Sequence, residues 1–256
     1  MIKEGIVHPL QKKARGFAKS LRARRLSRRW TTARSRAPES KTTYNAQDLN
    51  DVIAVRVINL EHRGDRLSQI TSELKRMGLT SWQRVNGFYG LVAVPGSSQV
   101  IAGSVGCQLA HIAALAEGIP SNCEAIMVCE DDLEFVGSRE DLQRAIIEFL
   151  DNPLLDVLSI SGRPRGGSLK ISDEMRIVVG LVGRGSYLVK PHAIIPLIET
   201  FTGGFSLLRK NSVRGKGDQM WQKLQRTSFF FAAPIHTLAR QASGYSDIEG
   251  KNLGPR

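Results

Sequence analysis

Cysteine is scarce in this chain of 256 residues: only Cys107, Cys123 and Cys129 are present. So small and odd a set excludes a disulfide scaffold and fits a reducing compartment. No C-x-x-C pair or Cys/His spacing suggests structural zinc. Long hydrophobic runs are also missing. Uninterrupted apolar stretches such as 177–183 fall far short of the ~20 residues of a membrane span, so a transmembrane enzyme is not expected. No apolar stretch follows the early basic residues as the core of a secretory signal would. Internal repeats and linker-like segments are absent after residue 50. A chain of this length buries roughly 70% of its unfolded surface, enough to support one core without staples.

Acid is nearly absent from the first 41 residues, which hold thirteen Lys/Arg against two Glu. The formal net charge of +12 therefore belongs almost wholly to this extension, and the rest of the chain is close to neutral. Within the extension Leu10, Ala14, Phe17 and Leu21 recur at helical spacing among Lys12, Lys13, Arg15, Lys19 and Arg22. Two readings stand side by side: a largely disordered tail, or an amphipathic stretch lying on an anionic membrane surface through residues 1–41. An organelle transit peptide shares the composition. Nucleic acid ranks last as a partner, because only Phe17 and Trp30 offer rings for base stacking.

From residue 51 the pattern alternates. A β-branched run at 51–60 predicts a buried strand, and Leu67, Ile70, Leu74 and Met77 predict a helix over 65–77 ending at Gly78. Further strands are predicted at 81–85, 125–129, 156–160, 177–181, 187–189 and 229–232. Helices are predicted at 104–117 with Ser104 as cap, from Ser138 through Leu150, at 191–201 and at 217–224. Gly203-Gly204 and the basic residues 209–216 read as a mobile loop able to close over a diphosphate. Strands alternating with helices predict a single α/β domain over 51–256, with a mainly parallel sheet flanked by helices and a basic extension over 1–50.

The 125–129 strand ends in Glu130, Asp131 and Asp132, where open α/β sheets bind ligands. Alternation sends Glu130 and Asp132 to one side and Asp131 to the other. Two converging carboxylates repel unless a hard divalent cation such as Mg²⁺ or Mn²⁺ lies between them, and such an ion keeps positions open for substrate phosphates. A solvated acidic strand end or a helix cap is the plain alternative. Asn59, Arg63, Asp65 and Arg66 follow the first strand, where two arginines suit phosphate and Asp65 suits a ribose or base donor.

Several segments together resemble glycosyltransferase family 25, the lipopolysaccharide-biosynthesis glycosyltransferases related to procollagen galactosyltransferases. They are Val57-Ile-Asn-Leu-Glu-His-Arg-Gly-Asp-Arg66, Gly106-Cys-Gln-Leu-Ala-His111, Ala125-Ile-Met-Val-Cys-Glu-Asp-Asp-Leu133, Gly185-Ser-Tyr-Leu-Val189, Asp218 in Gly217-Asp-Gln-Met-Trp221, Pro234, and Ser246-Asp-Ile248. They occur in order across about 52–250. Ala110 stands where the family pattern has serine, and the basic extension lies outside the match. The resemblance implies a GT-A-type, Rossmann-like fold and metal-dependent transfer of a hexose, galactose or glucose, from a UDP-sugar to a glycan or lipid-linked acceptor.

It further implies Mn²⁺ or Mg²⁺ held by the Glu-Asp-Asp segment, with Asp132 the first-choice ligand and Glu130 sharing the metal or contacting the ribose; His236, as a neutral imidazole, is a candidate to complete the shell. Asn59, Arg63, Asp65, Arg66, His111 and Asp131 would contact the donor. Asp218, or failing that Asp247, would be the base of an inverting transfer. The expected setting is surface polysaccharide synthesis by a cytoplasmic protein, peripheral on the inner face of the membrane. Two other readings remain: a non-catalytic binding protein with a vestigial acidic site, and a metal-dependent nucleotidyltransferase.

Overall fold

Val55 and Val57 lie on one face of β1 (Ile53–Asn59), and both are fully buried. The computed structural model describes residues 9–37, 44, 49–119, 122–227 and 229–255. β1 is followed by α1 (Gly64–Arg76) and β2 (Trp82–Asn86). Then come α2 (Gln99–Ala116), β3 (Ala125–Glu130) and α3 (Arg139–Asp151). β4 (Val157–Ser159), β5 (Ser168–Lys170), β6 (Met175–Val178), β7 (Ser186–Val189), α4 (Pro191–Arg209) and β8 (Phe231–Pro234) complete the large sheet and its long flanking helices.

The eight strands lie in the order β2-β1-β3-β7-β4-β8-β6-β5. β7 and β6 run against the other six, so the sheet is mainly unidirectional without being purely parallel. Along β3, Met127 and Cys129 join one core with Leu74 and Leu142 of α1 and α3. Ile126 and Val128 join the other core, with Leu115 and Leu197 of α2 and α4. Strands buried on both faces read as continuous apolar runs, which is why they were visible in the sequence.

Three local expectations change. α2 begins five residues before the predicted start: Ser98 caps it by accepting from Ile101 N, while Ser104 sits inside and donates to the Val100 carbonyl. By length and composition α2 is the one described helix able to cross a membrane, yet 56% of it is buried in the fold. α4 runs through Gly203-Gly204, so the glycine pair is helical rather than a hinge. A Cβ at Gly204 would come within 2.3 Å of the Gly215 carbonyl oxygen, and glycine is what lets the 213–215 turn press onto the helix.

Pro9–Arg34 is helical, and Leu26 and Trp30 sink into the core. Trp30 meets Phe230 edge-on with ring centroids 5.2 Å apart, and Arg29 donates to the Gln225 carbonyl. Phe17 and Leu21 of the anticipated stripe are exposed; Leu10 and Ala14 fall outside the side chains described. The first eight residues of the extension, and 38–43 and 45–48, also lie outside the described residues.

Candidate active site

β3 delivers Glu130, and the chain then turns through Asp131 and Asp132 into the short strand Leu133–Phe135. The strand Ala239–Gln241 pairs antiparallel with it, which sets Gln241 opposite Leu133 and beside the acids. Gln241 Nε2 donates at 3.3 Å to both Glu130 and Asp132, so the two carboxylates do converge. Asp131 turns aside, accepting from Asn59 Nδ2 at 2.8 Å and Arg66 Nη1 at 3.1 Å.

Behind Glu130 stands a buried relay. His111, fully enclosed on α2, places Nε2 at 3.0 Å from the Glu130 carboxylate and Nδ1 at 3.1 Å from the Tyr187 hydroxyl. A carboxylate only accepts, so neutral His111 carries its proton on Nε2 and accepts from Tyr187 at Nδ1. Burial, reinforced by the nearby Arg184 charge, holds His111 down to about 4, which keeps the imidazole neutral. Burial pushes Glu130 up, but hydrogen bonding and charge from its neighbours outweigh it and hold Glu130 at about 2. Burial and then the Glu130 charge push Asp132 up to about 7. One acid of the pair is thus ionised and the other strained toward its neutral form, the condition that a divalent cation relieves.

Two metal seats come into question. Cys107, His111 and Glu130 offer ligand atoms all within 4.8 Å of one another. Arg184 Nη2 sits 3.2 Å from the Cys107 sulfur, burial pushes that thiol up to about 12, and His111 Nε2 is spent on Glu130. A cation there would face a guanidinium and a protonated thiol. Glu130 and Asp132 instead present hard oxygens to open space, the donor set that suits Mg²⁺ or Mn²⁺.

These acids line two cavities that share a wall of Arg66, Cys107, Glu130, Asp132, Gln241, Ser246 and Ile248. Their enclosed volumes are about 130 and 170 Å³, and both open to solvent. The first has an apolar side of Ile58, Leu60, Phe88, Tyr89 and Leu91 facing Arg66 and the acids. The second carries Arg163, Arg184 and Lys216 together with Asp218 and Glu249. Close backbone approach shapes the first: a Cβ at Gly106 would lie 2.2 Å from the Phe88 carbonyl oxygen, so only glycine lets the 88–90 segment rest on α2.

A scan against protein-family models and a search of curated proteins return no match. Among solved structures, the chain is similar to A197 from STIV, with 10% identity, 79% of this chain and 93% of that one covered, and a TM-score of 0.41. It is also similar to a glycosyltransferase involved in the glycosylation of the major capsid of PBCV-1, with 12% identity, 77% and 96% coverage, and a TM-score of 0.44. Mouse xyloside xylosyltransferase 1 gives 12%, 76% and 73%, and 0.37. These likenesses are too distant to bear on what the protein does.

The expected site residues are distributed unevenly around the cleft. Arg66, Glu130, Asp131, Asp132, Asp218 and Asp247 line it. Arg63 is spent on bridging Asp247 at 2.6 Å and Asp65 at 3.0 Å, and Asp65 is 67% exposed on the outer side of that bridge. Asn59 is buried and holds Asp131, the Arg63 carbonyl and Arg84. These three brace the cleft and do not line it. His111 backs Glu130 and does not reach either cavity. His236 is exposed in the turn after β8 and lines neither cavity, so it is not brought to the carboxylates. Residues 209–216, expected as a mobile lid, pack against α4 and deliver Lys216 to the second cavity. Sequence reasoning passed over Gln241, for which no local signal exists. It also passed over Tyr89 and Arg184, each flanked by a glycine in a way that marks a chain held close to its neighbours.

Proposed function

We propose that the protein is a metal-dependent glycosyltransferase resembling family 25, with a GT-A-type fold, moving galactose or glucose from a UDP-sugar to a glycan or lipid-linked acceptor of surface polysaccharide. One observation carries this reading. Glu130 and Asp132 converge in the wall common to a cavity with an aromatic side and one lined by charged groups of both signs, and the segments that resemble the family meet around them: Asn59 and Arg66 on Asp131, His111 and Tyr187 behind Glu130, Asp218 and Asp247 in the flanking cavities.

Phe88 and Tyr89 suit the flat face of a uracil, and Arg66 lines the cleft beside the acids with its guanidinium shared among Asp131, Asp132 and the Tyr245 carbonyl. Bound Mn²⁺ or Mg²⁺ would be held by Glu130 and Asp132 and would supply charge neutralisation for the departing diphosphate. Asp218 fits the base: its Oδ2 accepts from Gly183 N at 3.2 Å, which leaves Oδ1 for an acceptor hydroxyl in the second cavity. The hydroxyl proton passes to Asp218, the acceptor oxygen bonds to the sugar anomeric carbon, and the anomeric C–O bond breaks with its electrons to UDP. Asp247, bound to Arg63 at the first cavity, is the poorer candidate.

For localisation we propose the inner face of the cytoplasmic membrane. Phe17 and Leu21 are exposed beside exposed Lys19, Arg22, Arg24, Arg25 and Arg28, a composition suited to anionic lipid at ~1 kcal/mol per basic residue. The test of activity is UDP release from UDP-galactose and UDP-glucose with a crude polysaccharide acceptor. Release with Mn²⁺, none in chelator and none from Asp132→Asn supports the reading. Pyrophosphate release from a nucleoside triphosphate would move it to nucleotidyl transfer.

A further inference from the structure

The second cavity sets three cations that the proposed reaction has so far not used, Arg163, Arg184 and Lys216, opposite Asp218, Glu249 and the acids of the shared wall. Arg163 is set there by pairing of Arg163–Pro164 with Leu181–Val182, and Lys216 by the turn that ends at Gly215. Between them Arg184 is 8% exposed, its guanidinium 4.9 Å over the Phe201 ring. A Cβ at Gly217 would come within 2.1 Å of Arg184 Nη1, so glycine there makes the seat for this cation. Nη1 is buried without a hydrogen-bond partner, and Nη2 reaches only the Cys107 sulfur at 3.2 Å. Among the described residues, no carboxylate lies at ion-pair distance from Arg163, Arg184 or Lys216. Glu130 and Asp218 act on Arg184 only across a distance, so its buried Nη1 keeps an unmade hydrogen bond, which an anionic group entering the cavity beside Arg163 and Lys216 would complete.

The donor diphosphate is not that anion. Phe88, Tyr89 and Leu91 line only the first cavity, while Arg163, Arg184 and Lys216 line only the second. A nucleotide with its base on the aromatics brings its diphosphate to the shared wall, where Arg66 donates to Asp131 and Asp132. The second cavity, with Asp218, is left for the acceptor.

Resting on the transferase reading above, we propose that the second cavity is the acceptor subsite and that the acceptor carries a phosphate or carboxylate group. Arg163 and Lys216 hold that group over the fixed charge of Arg184, and the group's position sets the reacting hydroxyl at Asp218.

The test uses the full chain with Mn²⁺ and UDP, probed by thermal shift with glucose 6-phosphate, glucuronic acid and glucose at constant ionic strength. Mn²⁺ with UDP should stabilise the wild type and an Arg163→Ala/Lys216→Ala variant alike. Added to that complex, at least one of the two anionic sugars should bind the wild type tenfold or more tightly than glucose. Which of them does so distinguishes phosphate from carboxylate. In the double variant that preference should vanish. No preference over glucose, an unchanged preference in the variant, or displacement of UDP by the anionic sugar would each overturn the acceptor assignment. If the anionic sugars bind but Mn²⁺ with UDP does not, the transferase reading fails and the cavity is an anion site of another kind. If Mn²⁺ with UDP binds and the anionic sugars do not, only the present inference fails.

Discussion

Replacing Asp132 by asparagine should have opposite effects with and without metal. In chelator the wild-type carboxyl is pushed up to about 7 from an ordinary 3.8, by burial and then by the Glu130 charge. A carboxyl raised in this way leaves the folded state fully favoured below about 3.8, and the advantage is lost as the pH rises through 7. At pH 8 the whole penalty is present, at most about 4 kcal/mol from the size of the gap. Asparagine keeps the shape and removes the charge but weakens the 3.5 Å Arg66 contact and one of the two Gln241 contacts, so a net gain on the order of 2 kcal/mol is expected. In a chain of this length that is about 4–8 °C in Tm. The gain should fall to roughly a third by pH 5, where the wild-type group is already protonated in the fold.

Mn²⁺ reverses the order. At one hundred times its Kd the ion stabilises the wild type by about 2.7 kcal/mol. Asp132→Asn, left with the Glu130 carboxylate alone, should gain little from it. Melting curves at pH 5 and 8, in chelator and in Mn²⁺, give all four values. A variant no more stable than wild type in chelator at pH 8, or equal Mn²⁺ stabilisation of both proteins, would refute the reasoning.

Removing the ring in His111→Ala should weaken Mn²⁺ binding roughly 10–100-fold, because Glu130 loses the donor that aims it. His111→Gln, whose amide still reaches toward Glu130, should restore part of that affinity in calorimetric titration; equal affinities for the two variants would argue against an orienting role. Tyr89→Ala should weaken UDP binding by about 1–3 kcal/mol if the exposed ring stacks on the base, with Mn²⁺ binding unchanged. Trp30→Ala should destabilise the fold by about 3–5 kcal/mol in urea unfolding, since a buried ring and its edge contact with Phe230 are lost. Phe17→Ser/Leu21→Ser should release the chain from vesicles containing anionic lipid while leaving its Tm unchanged; retention on the vesicles would exclude this helix face as the anchor.

The strands β1, β3, β7 and β8 were readable as apolar runs, because a strand covered on both faces needs no polar alternation. The helices α1 and α3 were readable because each buries a single stripe. The acidic end of β3 was readable as well, since its three acids are adjacent in the chain and the pleat alone separates Asp131 from the other two. The start of α2 was hidden because 99–103 is apolar enough to suit several conformations, and only the Ser98 cap defines it. The short strands Leu133–Phe135 and Ala239–Gln241 were hidden because their apolar and polar residues carry no pattern until the two segments pair.

That pairing, and not any motif, brings Gln241 to the carboxylates across more than a hundred residues. Only the packed fold decided that Arg63 and Asn59 brace rather than bind, because which partner captures a guanidinium or an amide depends on chain segments far away in sequence. The same holds for Arg184, whose burial and unpartnered Nη1 exist only once Phe201 and Gly217 close around it. Periodicity and adjacency are local and survive in one dimension. Convergence, burial and the pairing of charges are properties of distance in space, and the sequence by itself carries them only where neighbours in the chain are also neighbours in the fold.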